Sequence, residues 1–151
     1  MYRGSVYAAP IEKLNPASLW SDVIMMGRTG IDHLMREFYA ARVRGDLDAV
    51  CRSFSADARF KIRSASNACP VAIQANGADE FLPLLALLFK TFRLGDFAIL
   101  AMTIEGAEAT VHWRASVRSK ITGATVPTEL IDIVKIRDGC IVDFDEVYVQ
   151  R

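Results

Sequence analysis

The stretch Glu129-Leu130-Ile131-Asp132-Ile133-Val134-Lys135-Ile136-Arg137-Asp138-Gly139-Cys140-Ile141-Val142-Asp143-Phe144-Asp145-Glu146-Val147-Tyr148 decides how the chain is read. Two runs with period-two patterning flank a turn signal at Asp138-Gly139, the pattern of an antiparallel hairpin. Read as a three-residue turn with glycine in the left-handed position, Arg137-Asp138-Gly139 sets Asp132 opposite Phe144. Glu146 then lies opposite Leu130 and diagonal to Asp132. A two-residue turn would put the two acids on opposite faces; the longer turn is preferred because it aligns the apolar sets.

Upstream, Val111, Trp113, Ala115 and Val117 alternate with His112, Arg114, Ser116 and Arg118, a half-buried strand. A two-residue turn at Thr122-Gly123 would place Trp113 opposite Asp132 and Ala115 opposite Leu130. Segments 96–105, 108–120, 125–136 and 140–149 thus form a four-strand meander. Before it the period is helical. Asn15-Pro16 opens a helix carrying Leu19, Trp20, Val23 and Ile24 that Gly27 closes. A second helix starts near Thr29, carries Ile31, Leu34, Met35 and Phe38, and ends at Arg44-Gly45. Asp46 caps a short third one, residues 58–63 form a short strand, and 64–77 read as a loop. Asp79 begins an apolar helix to about Phe92, ended by Gly95. Helices first and strands last predict an α+β fold, with N-terminal helices packed on a curved, mostly antiparallel sheet. Residues 1–30 are read as an N-terminal arm and extra helix, which either covers the mouth of the fold or extends its core. Residues 31–151 are read as a single domain.

Composition narrows the function. The 151 residues are 52% hydrophobic and 24% charged, which excludes a disordered chain. Lys plus Arg number 18 and Asp plus Glu 18, so nothing in the balance asks for nucleic acid. No apolar run is long enough for a membrane helix, and no signal peptide is read. Three cysteines, without CxxC spacing, read as reduced thiols and a cytoplasmic location. Two isolated histidines, His33 and His112, give no metal pattern, and no glycine-rich phosphate loop implies a cofactor.

The chemical signal is the pair of acids, Asp132 and Glu146, on an otherwise apolar inner face with Trp113, Leu130, Phe144 and Tyr148. Buried carboxylates must be paired, protonated or set in a wet pocket. Either they face a ligand, or each hydrogen-bonds to a core Tyr, Trp or backbone group.

Gly45-Asp46-Leu47-Asp48-Ala49-Val50, with Phe54-Ser55-Ala56-Asp57-Ala58-Arg59-Phe60 and the hairpin 129–141, resembles the nuclear transport factor 2-like superfamily, and in it the ketosteroid isomerase-like and SnoaL-like (polyketide cyclase-like) proteins. The resemblance implies a cone-shaped α+β barrel with a pocket. It places Asp132 at the oxyanion-hole acid of the isomerases, Ile62 at their base and Phe38 at their tyrosine, with Tyr39 adjacent. Without an acid at 62, steroid isomerisation is not expected.

The reading leaves two function classes open. One is an isomerase, cyclase or lyase acting on a small hydrophobic, carbonyl-bearing molecule. Asp132 would be its protonated donor, Glu146 its base and Tyr148 a second donor, with Trp113, Phe38, Ile62, Leu130 and Phe144 as ligand-binding walls. The other is a noncatalytic small-ligand module or an interaction subunit of a larger enzyme. The aliphatic outer sheet face, with Ile131, Ile133 and Val147, predicts a homodimer, as the resemblance also implies.

Overall fold

A computed structural model describes residues 16–64 and 72–149, with side chains described from residue 27 onward. The arm before residue 16, the side chains of Leu19, Trp20, Val23 and Ile24, and Cys69 lie outside the described residues. Helix α1 spans Pro16–Arg44, α2 Leu47–Arg52 and α3 Ala78–Thr91; the strands are β1 Phe54–Ser64, β2 Ala72–Asn76, β3 Phe92–Glu105, β4 Glu108–Ser119, β5 Thr125–Arg137 and β6 Cys140–Tyr148. The six strands form one sheet in the order β2-β1-β6-β5-β4-β3. Every neighbouring pair is antiparallel except β1 with β6, which run parallel. Breaks in register within β1, β3 and β6 bend the sheet, and the helices pack on its concave side. This is the expected α+β architecture.

Local chemistry explains the boundaries. Gly45, at φ +74°, takes the left-handed conformation that ends α1, while Asp46 NH donates to the Ala41 carbonyl at 2.9 Å. Asp46 then caps α2 by accepting from Ala49 NH at 3.1 Å. Gly27, expected to divide two helices, sits inside one continuous helix; a helical glycine costs only about 1 kcal/mol, too little alone to break it. Residues 72–76, read as loop, form the edge strand β2, whose only buried side chain is Ala75. Gly95 does not end α3. The chain turns extended already at Phe92, and Gly95 lies within β3 beside a break in register.

Both hairpin registers differ from those expected, by the same two residues. Lys120-Ile121-Thr122-Gly123 make a four-residue loop, with Ser119 NH donating to the Ala124 carbonyl at 2.9 Å. Trp113 therefore lies opposite Leu130, and Asp132 opposite Val111. Asp138-Gly139 is a two-residue turn, both residues having positive φ (54° and 75°) as a type I′ turn requires. A bulge at Val142 then adds one residue to β6, so Asp132 lies directly opposite Glu146 on the same face. Turn and bulge each invert the alternation once and together restore it.

The core centres on Phe144, fully buried. Its ring lies 5.3 Å from Phe60, stacked, 5.4 Å from Phe38 and 5.8 Å from Phe54. Replacing Phe144 by Ala leaves a cavity between α1 and the sheet and should cost about 3–5 kcal/mol of stability, read from urea unfolding. A loss under about 1 kcal/mol would show that this cluster does not hold the layers together.

Candidate functional site

The C-terminal half of α1 carries Met35, Phe38, Tyr39 and Arg42 on its buried face, following i, i+3, i+4, i+7 spacing. Beneath it β4 presents Trp113, β5 Asp132 and β6 Glu146. Asp132 is 0% exposed and Glu146 4%. Asp132 Oδ2 accepts from the Tyr39 hydroxyl and from Trp113 Nε1 at 2.7 Å. Glu146 Oε2 accepts from an Arg42 guanidinium nitrogen at 2.8 Å, and the same nitrogen lies 3.9 Å from Asp132 Oδ2. The guanidinium also sits over the Trp113 ring, 4.9 Å from its centroid.

One cation faces two acids. Burial above all, then the neighbouring Glu146 charge, pushes the Asp132 carboxyl well above the usual carboxylate range, outweighing Arg42 and the Tyr39 hydrogen bond. Its Oδ1 is buried and meets no donor that would stabilise a negative charge there, which also favours the protonated form. The cluster then reads Asp132-COOH, Glu146 carboxylate and Arg42 guanidinium, electrically neutral. Burial above all raises the Tyr39 hydroxyl well above its ordinary range, so Tyr39 remains a donor. Burial opposes the Arg42 charge, but the neighbouring Glu146 carboxylate overcomes it and holds the guanidinium protonated.

A cavity of about 470 Å³ opens beside the cluster. Its wall includes the expected Phe38, Ile62, Trp113, Leu130, Phe144, Glu146 and Tyr148, together with Arg42. Asp132 and Tyr39 lie behind this wall and do not line it. Tyr148 is 40% exposed, its hydroxyl bonds to no described residue, and burial followed by the Glu146 charge raises its pKa. Ile62 pairs with Glu146 across β1 and β6, so an aliphatic side chain stands where the isomerases' base was sought. Among the described residues, no three His, Cys, Asp or Glu side chains gather as a metal would need.

Two participants were missing from the expected site. Tyr39, not Phe38, reaches Asp132, because Phe38 turns into the aromatic core. Arg42 was not anticipated, although one further step of four from Phe38 reaches it.

The proton on Asp132 couples stability to pH. Its folded-state pKa is raised, so the stabilisation is full below the unfolded value of about 4 and declines as pH rises toward the folded one. Relative to Asp132→Asn, the wild type should lose up to about 1.4 kcal/mol per pH unit through that window. Chemical denaturation of both proteins across the range reads this; a pH-independent difference would mean Asp132 is ionised.

The profile of the SnoaL-like domain matches residues 35–144, well over half of the chain. No curated protein matches it. Solved structures share its fold. An LEH-like epoxide hydrolase of M. tuberculosis is 14% identical, with TM-score 0.65 over 80% of this chain and 84% of that one. An NTF-2 like protein of unknown function from Burkholderia xenovorans LB400 is 17% identical, with TM-score 0.63 over 83% and 88%. A ketosteroid isomerase-like protein from Erwinia carotovora atroseptica SCRI1043 is 15% identical, with TM-score 0.60 over 82% and 96%. With the profile spanning α1 to β6, and with the fold and pocket described above, the chain belongs to the SnoaL-like domain family.

Proposed function

We propose that the cavity binds a small hydrophobic, carbonyl-bearing molecule and that Glu146 moves a proton on it, as an isomerase, cyclase or lyase does. The observation that carries this reading is a carboxylate and a guanidinium side by side, Glu146 and Arg42, on the wall of a mainly apolar cavity. A carbonyl oxygen set against Arg42 would have its developing negative charge stabilised. Glu146 would take the proton from the neighbouring carbon. The free Tyr148 hydroxyl supplies a second donor. Asp132 acts through its neighbours: as a neutral acid it leaves the Arg42 charge to Glu146 and the ligand, and with Tyr39 it fixes where Trp113 stands.

A ketone such as 2-tetralone tests this by deuterium wash-in from heavy water, followed by NMR. The wild type should accelerate exchange beside the carbonyl. Glu146→Gln should lower that rate by about 100-fold or more while ketone affinity changes only a few-fold. Binding without acceleration by the wild type would remove the base and leave the noncatalytic module. A specific observation favours that second reading: Tyr39, Trp113 and Arg42 already engage both acids.

The proposal includes a homodimer through the outer sheet face. Ile131 pairs with Val147 there, and Ile133 stands on the same face, all only half-buried in the single chain. Light scattering at high micromolar concentration should give a dimer for the wild type and a folded monomer for Ile133→Lys. A monomeric wild type would remove this interface. No described helix is long and apolar enough to cross a membrane.

A further inference from the structure

The cavity wall has a charge of its own. Among the described residues that line it, four are cationic, Arg42, Arg44, Arg93 and Lys120, and one is acidic, Glu146. The chain as a whole is balanced, 18 against 18, so this excess is local. Two of the cations are engaged: Arg42 by Glu146 at 2.8 Å and Arg44 by Asp46 at 3.6 Å. Arg93 forms no ion pair or hydrogen bond with any described residue. Lys120 meets no described carboxylate; its Nζ donates to the Phe89 carbonyl at 2.8 Å, at the last turn of α3. Topology brings the two to one corner. Lys120 NH bonds to the Thr91 carbonyl at 2.7 Å, and Arg93 pairs with Arg118, two residues before Lys120.

Depth separates this corner from the cluster already described. Glu146 is buried in the wall and Arg42 half-buried beside it, whereas Arg93 and Lys120 are exposed. Between them the lining is apolar, with Phe89 and Phe92 flanking the cationic corner. Uncompensated cations at the rim of a low-dielectric cavity focus positive potential at its mouth. A ligand that fits must carry its polar reacting group at the inner end, an apolar body, and an anionic group at the outer end.

Resting on the ligand-pocket reading above, we infer that the ligand is a hydrophobic carboxylic acid whose carboxylate is held at the cavity rim by Arg93 and Lys120. The carboxylate gains two charge-assisted partners without breaking an existing ion pair, because neither residue has a described one. An uncharged analogue would leave both cations unmatched.

Two matched pairs of probes test this by calorimetric titration near neutral pH: 1-naphthylacetate with 1-naphthylacetamide, and decanoate with decanamide. At least one acid should bind about tenfold or more tightly than its amide, and the preference should shrink at high sodium chloride, as rim charges are screened. In the Arg93→Gln, Lys120→Gln double variant the preference should vanish while amide affinity stays the same; glutamine at 120 can still donate to the Phe89 carbonyl. Acid and amide binding equally to the wild type would overturn the inference and leave the pocket reading standing, and so would a preference that the double variant retains. If none of the four probes binds, the ligand-pocket reading falls and takes this inference with it.

Discussion

Two carboxyl groups and one guanidinium share an interior with no room for a net charge, and the arrangement around them follows from that. Isolating either acid as an ion would cost several kcal/mol or more. A single cation can balance a single anion, so the second acid keeps its proton. Arg42 goes to Glu146 and Asp132 takes the neutral role, with Tyr39 and Trp113 both donating to its Oδ2. The strand pairing enforces the choice, because Asp132 and Glu146 face each other directly across β5 and β6. Had they been diagonal, each could have sought its own partner.

The cluster also joins the layers. Tyr39 and Arg42 come from the helix, and Trp113, Asp132 and Glu146 from three adjacent strands. Hydrogen bonds between them set the height and rotation of α1 over the sheet, which dispersion among Phe38, Phe54, Phe60 and Phe144 could satisfy in several ways. The cavity exists where that aromatic packing gives out toward α3 and the β3–β4 corner.

Much of this was legible in particular residues. The change of period after α3, the Val111–Val117 alternation and the Asp138-Gly139 turn announced the meander, and Gly45-Asp46 announced the helix junction. The acids on one face were legible because burial cost makes them conspicuous. What escaped was decided by pairing. β2 has too few buried positions to show a period, and it forms because β1 offers an open edge. Gly27 reads as a stop in any local window, yet α1 continues through it. Arg42 looked like an ordinary cation near a helix C-terminus. Its place in the site follows only once two buried acids are known to need a counter-charge within reach of the same helix face.

The β5–β6 hairpin has a further meaning. Which side of the sheet Glu146 occupies depends on whether the number of residues between it and Asp132 is odd or even once the Val142 bulge is counted. Length change in this hairpin is therefore constrained as a parity. A single insertion at Asp138-Gly139 would turn Glu146 and Phe144 outward unless the bulge were lost in the same lineage or the same design. Compensated pairs preserve the interior, single events do not, and any graft of this turn onto a relative has to carry Val142 with it.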